Sequence, residues 1–80
     1  MPTGGPDRWE YATMRWEGSG FGSKREIEFS HQVPRLLKLG HIRQIGAIAM
    51  LGEHGYELMN VSGRLDDDAN SVSTWRRLRS

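Results

Sequence analysis

Residues able to do chemistry gather in a few short stretches of this chain. Gly18-Ser19-Gly20-Phe21-Gly22-Ser23-Lys24 is a glycine-rich run leading to a lysine, the composition of loops whose backbone N–H groups cradle phosphate. The details do not fit. A P-loop places glycine directly before its lysine and opens a helix there, whereas Ser23 precedes Lys24 and Lys24-Arg25-Glu26-Ile27-Glu28-Phe29 alternates like a strand. A kinase glycine-rich loop does lie between strands, but 80 residues leave no room for a catalytic loop and a metal-binding aspartate. The run is expected to be a hairpin tip. Phosphate or nucleotide contact through its N–H groups, helped by Lys24 and Arg25, is the other reading.

His31, His41 and His54 lie 10 and 13 residues apart, which matches no short chelating pattern, so no metal site is expected. Asp66-Asp67-Asp68-Ala69-Asn70 lacks the ligand alternation, the glycine and the final glutamate of a calcium loop. It reads as a solvated turn whose charge discourages edge pairing. No G-x-S-x-G or H-E-x-x-H occurs, and no catalytic residue or cofactor is assigned. Thr74-Trp75-Arg76-Arg77-Leu78-Arg79 is the densest patch of one sign. Arginine beside an aromatic ring stacks on bases and holds phosphates; arginine along an edge strand also guards against aggregation.

These residues need elements to position them. Trp9 to Glu17 joins aromatic and β-compatible residues without glycine or proline, and Ile27 and Phe29 alternate with charge, so a first hairpin is expected. Pro34 leaves residues 30–40 unassigned. From His41, the apolar residues Ile42, Ile45, Ile48, Ala49 and Gly52 recur every three or four positions, a helix that Gly55 ends with His54 in its last turn. Gly46 and Gly52 within it suggest either close packing on a sheet or simply a weak helix. Tyr56 to Gly63 and Val72 to Arg79 read as two more strands around the Asp-rich turn. The expected fold is α+β: ββαββ, a small antiparallel sheet with one helix packed on one face.

Composition sets the bounds. A chain of 9.1 kDa makes one domain, and Ile, Leu, Val and Phe supply only a fifth of it, near the limit at which chains fold. Aromatic and methionine residues must complete the core. Cysteine is absent, which removes disulfides and thiol chemistry and makes the cytoplasm the expected compartment. A net charge of +1 and a pI near 8.2 argue against a polyanion coat. No apolar run is long enough to span a bilayer, so no membrane partner is expected. Residues 1–8 read as a flexible leader without the features of a signal peptide, and residues 9–80 as the domain.

Alternation carries the most weight. Trp9 and Tyr11 point one way from the first strand, and Ala12, Met14 and Trp16 the other; Tyr56 and Leu58 are expected opposite Met59 and Val61, and Trp75 opposite Leu78. One helix covers one face, so the rings on the other call for a second chain.

Trp9-Glu10-Tyr11, then Leu51-Gly52-Glu53-His54-Gly55-Tyr56-Glu57-Leu58 across the helix end, then the closing arginines, resemble a family of very small bacterial and phage proteins with no assigned activity. Its pattern is W-E-Y, a helix ending L-G-x-x-G-W-E-L-V, and a last strand ending in Arg. Tyr56 stands where that family usually has Trp, and Met59 where it often has Val. The stretch from Gly18 to Gly40 has no counterpart. The resemblance implies the fold, and a bacterial or phage regulatory or inhibitory role.

The expected function is a non-enzymatic, oligomeric binding module, a homo-oligomer (dimer or ring) or a partner of another protein, with Trp9, Tyr11 and Trp75 at its interface. The alternatives are a nucleic-acid or nucleotide binder using Lys24, Arg25, Trp75, Arg76, Arg77 and Arg79, and a small enzyme with a site shared between protomers.

Overall fold

The structure, a computed structural model, describes residues 8–18, 24–40 and 42–79. In chain order the elements are β1 (Trp9–Trp16), β2 (Arg25–Phe29), β3 (Leu36–Lys38), α1 (Gln44–Glu53), β4 (Glu57–Gly63) and β5 (Ser71–Leu78). They form one open antiparallel sheet of order β3-β2-β1-β5-β4, crossed by the helix. The fold is small α+β, with a strand more than the sequence pattern showed. That strand, β3, comes from the unassigned segment. Its register against β2 sets Leu37 opposite Ile27 on the helix side and Lys38 opposite Glu26 on the open side, so apolar and charge pairing both hold it. No helix among the described residues is long and apolar enough to cross a membrane.

One face of the sheet builds the core. Ala12, Met14 and Trp16 of β1, Ile27 and Phe29 of β2 and Trp75 of β5 lie buried against Ala47 and Leu51 of α1, with Leu39 and Tyr56 completing the cluster. Large rings therefore compensate for the shortage of branched aliphatics.

The helix differs from expectation in which face it buries. It starts at Gln44, after His41, which lies outside the described residues, and it buries Gln44, Ala47 and Leu51. Ile45 is 68% exposed and Ile42 is also exposed. A glutamine can take the inward position because its amide is matched: Nε2 donates to the Asp66 carbonyl at 2.7 Å, and Oε1 accepts from the Ser71 hydroxyl at 3.3 Å. Of the two readings of the helix glycines, close packing on the sheet is not what the structure has. A Cβ on Gly46 would meet only Ile42 of its own segment, and one on Gly52 would meet nothing.

The helix stop follows the sequence. Gly55 takes φ +85°, its N–H donates to the Gly52 carbonyl and that of Tyr56 to the Leu51 carbonyl, each at 3.0 Å. This is a Schellman turn, in which the apolar pair Leu51 and Tyr56 closes over the helix end.

The Asp-rich turn is a joint rather than a merely solvated loop. Asp67 Oδ1 accepts the Gln44 N–H and Oδ2 accepts from Arg43 Nε, while the Asp67 carbonyl accepts from the Trp16 indole. Arg43, at the N-cap position, offers no side-chain cap of its own, so the helix start depends on this distant carboxylate. Gly18 lies against the same turn: a Cβ there would run into the Asp68 backbone.

Candidate interaction surface

The basic residues do not converge. Lys24 and Arg25 stand level with Trp16 at one end of β1, while Arg76 is level with Tyr11 and Arg79 lies beyond Trp9. Five residues of strand separate Arg25 from Arg76, roughly 17 Å. Each of three arginines is also engaged within the fold. Arg25 donates to the carbonyls of Glu17 at 3.0 Å and Gly18 at 2.9 Å and lies over the Trp16 ring. Arg76 pairs with Glu57 at 2.9 Å and stacks on Trp9 at 4.0 Å. Arg77 pairs with Glu10 at 2.7 Å, donates to the His54 carbonyl at 2.6 Å and lies over Tyr56. Lys24 and Arg79 are exposed. The glycine-rich residues 19–23 lie outside the described residues.

A cleft of about 550 Å³ opens between Trp9, Glu10, His54, Gly55, Glu57, Arg77 and Leu78. Its arginine and the neighbouring Arg76 are balanced by Glu10 and Glu57. The cleft therefore presents no net positive charge to an anion. Burial raises the pKa of Tyr56 beside it, opposed by Arg77 and the Gln32 amide. Among the described residues no group of three or more His, Asp or Glu side chains could hold a metal ion.

The arginines do not guard an edge, because β5 lies between β1 and β4. Trp75 is no surface residue: it is 5% exposed, faces the helix and donates its indole N–H to Ser73 Oγ at 2.9 Å. Trp16, Phe29 and Tyr56 are likewise buried. Among the described aromatic residues, only Trp9 and Tyr11 stand on the open face, both half-buried. The rest of that face mixes exposed apolar Leu36, Val72 and Leu78 with polar and charged side chains. Arg15, Glu26 and Lys38 form a cross-strand row in which Glu26 is 7% exposed and lies 2.9 Å from Lys38 and 4.0 Å from Arg15. The hydrogen bond from Lys38 is the main cause that holds the Glu26 carboxyl below its ordinary range. The open face thus carries two described rings, Trp9 and Tyr11, and shares its surface between these ion pairs and the apolar Leu36, Val72 and Leu78.

Further exposed apolar surface lies on the helix side. Strand β4 is an edge of the sheet, and all seven of its residues are exposed. Register slips between Leu58 and Asn60, so that Leu58 is level with Trp75 and Val61 with Ser73. Both therefore project on the helix side, where an unbroken strand would have sent them to opposite faces. On the same side Ile45, Ile48 and Leu65 line a groove of about 340 Å³ beside α1. Ile45, Leu58, Val61 and Leu65 are exposed and Ile48 is half-buried. Sequence alternation missed this strip because the extra residue, Met59, inverts the period; the adjacent apolar pair Leu58-Met59 is the signal that could have shown it.

Comparison with family models, curated proteins and solved structures finds no match to this chain.

Proposed function

We propose that this chain is a non-enzymatic binding module that associates with another protein chain through strand β4. One observation carries the reading: a seven-residue edge strand, exposed throughout, projects exposed Leu58 and Val61 on the helix side, with exposed Leu65 following it. An edge offers a row of unpaired N–H and C=O groups to an incoming strand, and neighbouring apolar side chains add area to that pairing. The opposite edge, β3, is only three residues long. A regulatory or inhibitory role agrees with the resemblance in Trp9-Glu10-Tyr11 and in the helix-to-strand junction. Polynucleotide binding has less support, because Arg76 and Arg77 are already matched by glutamates and Lys24 and Arg25 lie at the other end of the sheet.

The test is association itself. Light scattering after gel filtration, at micromolar protein, is expected to show a mass above 9.1 kDa for the native chain and a loss of that mass for Leu58→Lys and Val61→Lys, with unchanged circular dichroism. An association indifferent to both substitutions would overturn the reading.

A further inference from the structure

We infer that the chain β4 receives is a second copy of itself, paired antiparallel about a two-fold axis through Val61. This inference rests on the β4 reading above and supplies its partner.

The argument is one of register. In an antiparallel pair, residues directly opposite project to the same face. Among the β4 residues, Leu58, Val61 and Gly63 are level with Trp75, Ser73 and Ser71, on the helix side, whereas Glu57, Asn60 and Ser62 are level with Arg76, Thr74 and Val72, on the open side. An axis through Val61 sets that residue against its own copy on the helix side and Asn60 against Ser62 on the open side. Past the extra residue Met59 the count moves by one, so Leu58 meets Gly63 and Glu57 meets Arg64. Each contact is complementary. Leu58 finds the one position in the strand without a side chain, and Glu57, which already accepts from Arg76 at 2.9 Å, finds a second positive charge, twice by symmetry.

Arg64 is placed to serve. Its N–H still reaches the Asn70 carbonyl at 3.4 Å, which extends the hairpin one residue beyond Gly63. Its side chain is 78% exposed and, among the described residues, pairs with Asp66 at 3.2 Å. The same axis places both helices on one side of a continuous ten-stranded sheet, so the two apolar grooves along Ile45, Ile48 and Leu65 flank a shared seam of Leu58 and Val61. An isologous contact of this kind closes on itself.

The chain contains no cysteine, so single substitutions report the register directly. Opposed residues in an antiparallel pair have Cα atoms about 4.5 to 5.5 Å apart, within disulfide range. Val61→Cys is expected to give a covalent dimer under mild oxidation. Ser62→Cys alone is expected to give little, while a mixture of Ser62→Cys and Asn60→Cys chains links. Glu57→Arg and Arg64→Glu should each weaken dimerisation roughly tenfold, and an equimolar mixture of the two should restore it. Circular dichroism of every variant verifies that it folds. A native chain that stays monomeric up to millimolar concentration, or Ser62→Cys linking to itself as fast as Val61→Cys, overturns the inference. A monomer that instead binds a foreign strand, with Val61→Lys abolishing the binding, overturns the second copy and leaves β4 as the binding edge. Association indifferent to Leu58→Lys and Val61→Lys overturns both.

Discussion

Asp67 Oδ1 accepts the backbone N–H of Gln44 at 2.6 Å, so α1 is capped by a residue 23 positions further along the chain. Its other oxygen takes Arg43 Nε at 2.8 Å. The turn that joins β4 to β5 thereby fixes where the helix starts and which of its faces meets the sheet. That choice, in turn, leaves Ile45 exposed in a groove with Ile48 and Leu65.

Acid should release this cap. The hydrogen bond from Arg43, then that from the Gln44 amide, holds the Asp67 carboxyl below its ordinary range. A carboxylate with a depressed folded-state pKa contributes stability that is complete above its unfolded value, about 4, and is lost as pH falls through the lower folded value. Asp67→Asn is expected to lower the melting temperature by several degrees at neutral pH, with the difference from the native chain narrowing in acid. Thermal melts across that range read both. A difference constant with pH would show that the charge contributes nothing.

Two glycines should respond with opposite signs. Gly18→Ala drives a Cβ into the Asp68 backbone and is expected to cost about 1–3 kcal/mol. Gly52→Ala meets open space in the last turn of the helix and is expected to stabilise by up to about 1 kcal/mol. Urea titrations of the two variants measure the contrast.

The orientation of the helix makes its own prediction. Leu51→Ala empties a fully buried position and should cost roughly 2–5 kcal/mol, whereas Ile45→Ala, at a position 68% exposed, should stay within about 0.5 kcal/mol. Equal costs in denaturant unfolding would mean that the isoleucine stripe, and not Gln44, Ala47 and Leu51, faces the sheet.

Arginine substitution should be read as loss of stability. Arg77→Ala removes the partner of Glu10 and the donor to the His54 carbonyl and uncovers Tyr56, so the melting temperature is expected to fall. Fluorescence anisotropy with labelled single-stranded DNA is expected to show no binding that declines steeply with salt. Binding of that kind, removed by Arg76→Ala or Arg77→Ala, would return weight to the polynucleotide reading.

The strands whose alternation is unbroken were legible from the residues. The β1 pattern of Trp9 and Tyr11 against Ala12, Met14 and Trp16 matches the two faces, and Gly55 marks the helix stop. What escaped depends on partners distant in sequence. Nothing near Gln44 announces that Asp66, Asp67 and Ser71 will satisfy a buried amide and an orphan N–H. Nothing near Leu36 announces that Lys38 will find Glu26. The bulge at Met59 shifts one position, and that shift reassigns Leu58 and Val61 to the same face. Arg76 and Arg77 looked available because Glu57 and Glu10, which neutralise them, lie 19 and 67 residues away.

The unequal margins of the sheet bear on stoichiometry. A sheet with two long open margins can add neighbours without end. Here β3 offers only three residues, two of them, Leu36 and Lys38, turned to the ion-paired side. Should β4 take its twin as proposed, the outermost strands of the pair would both be β3, too brief to recruit more, and growth would stop at two.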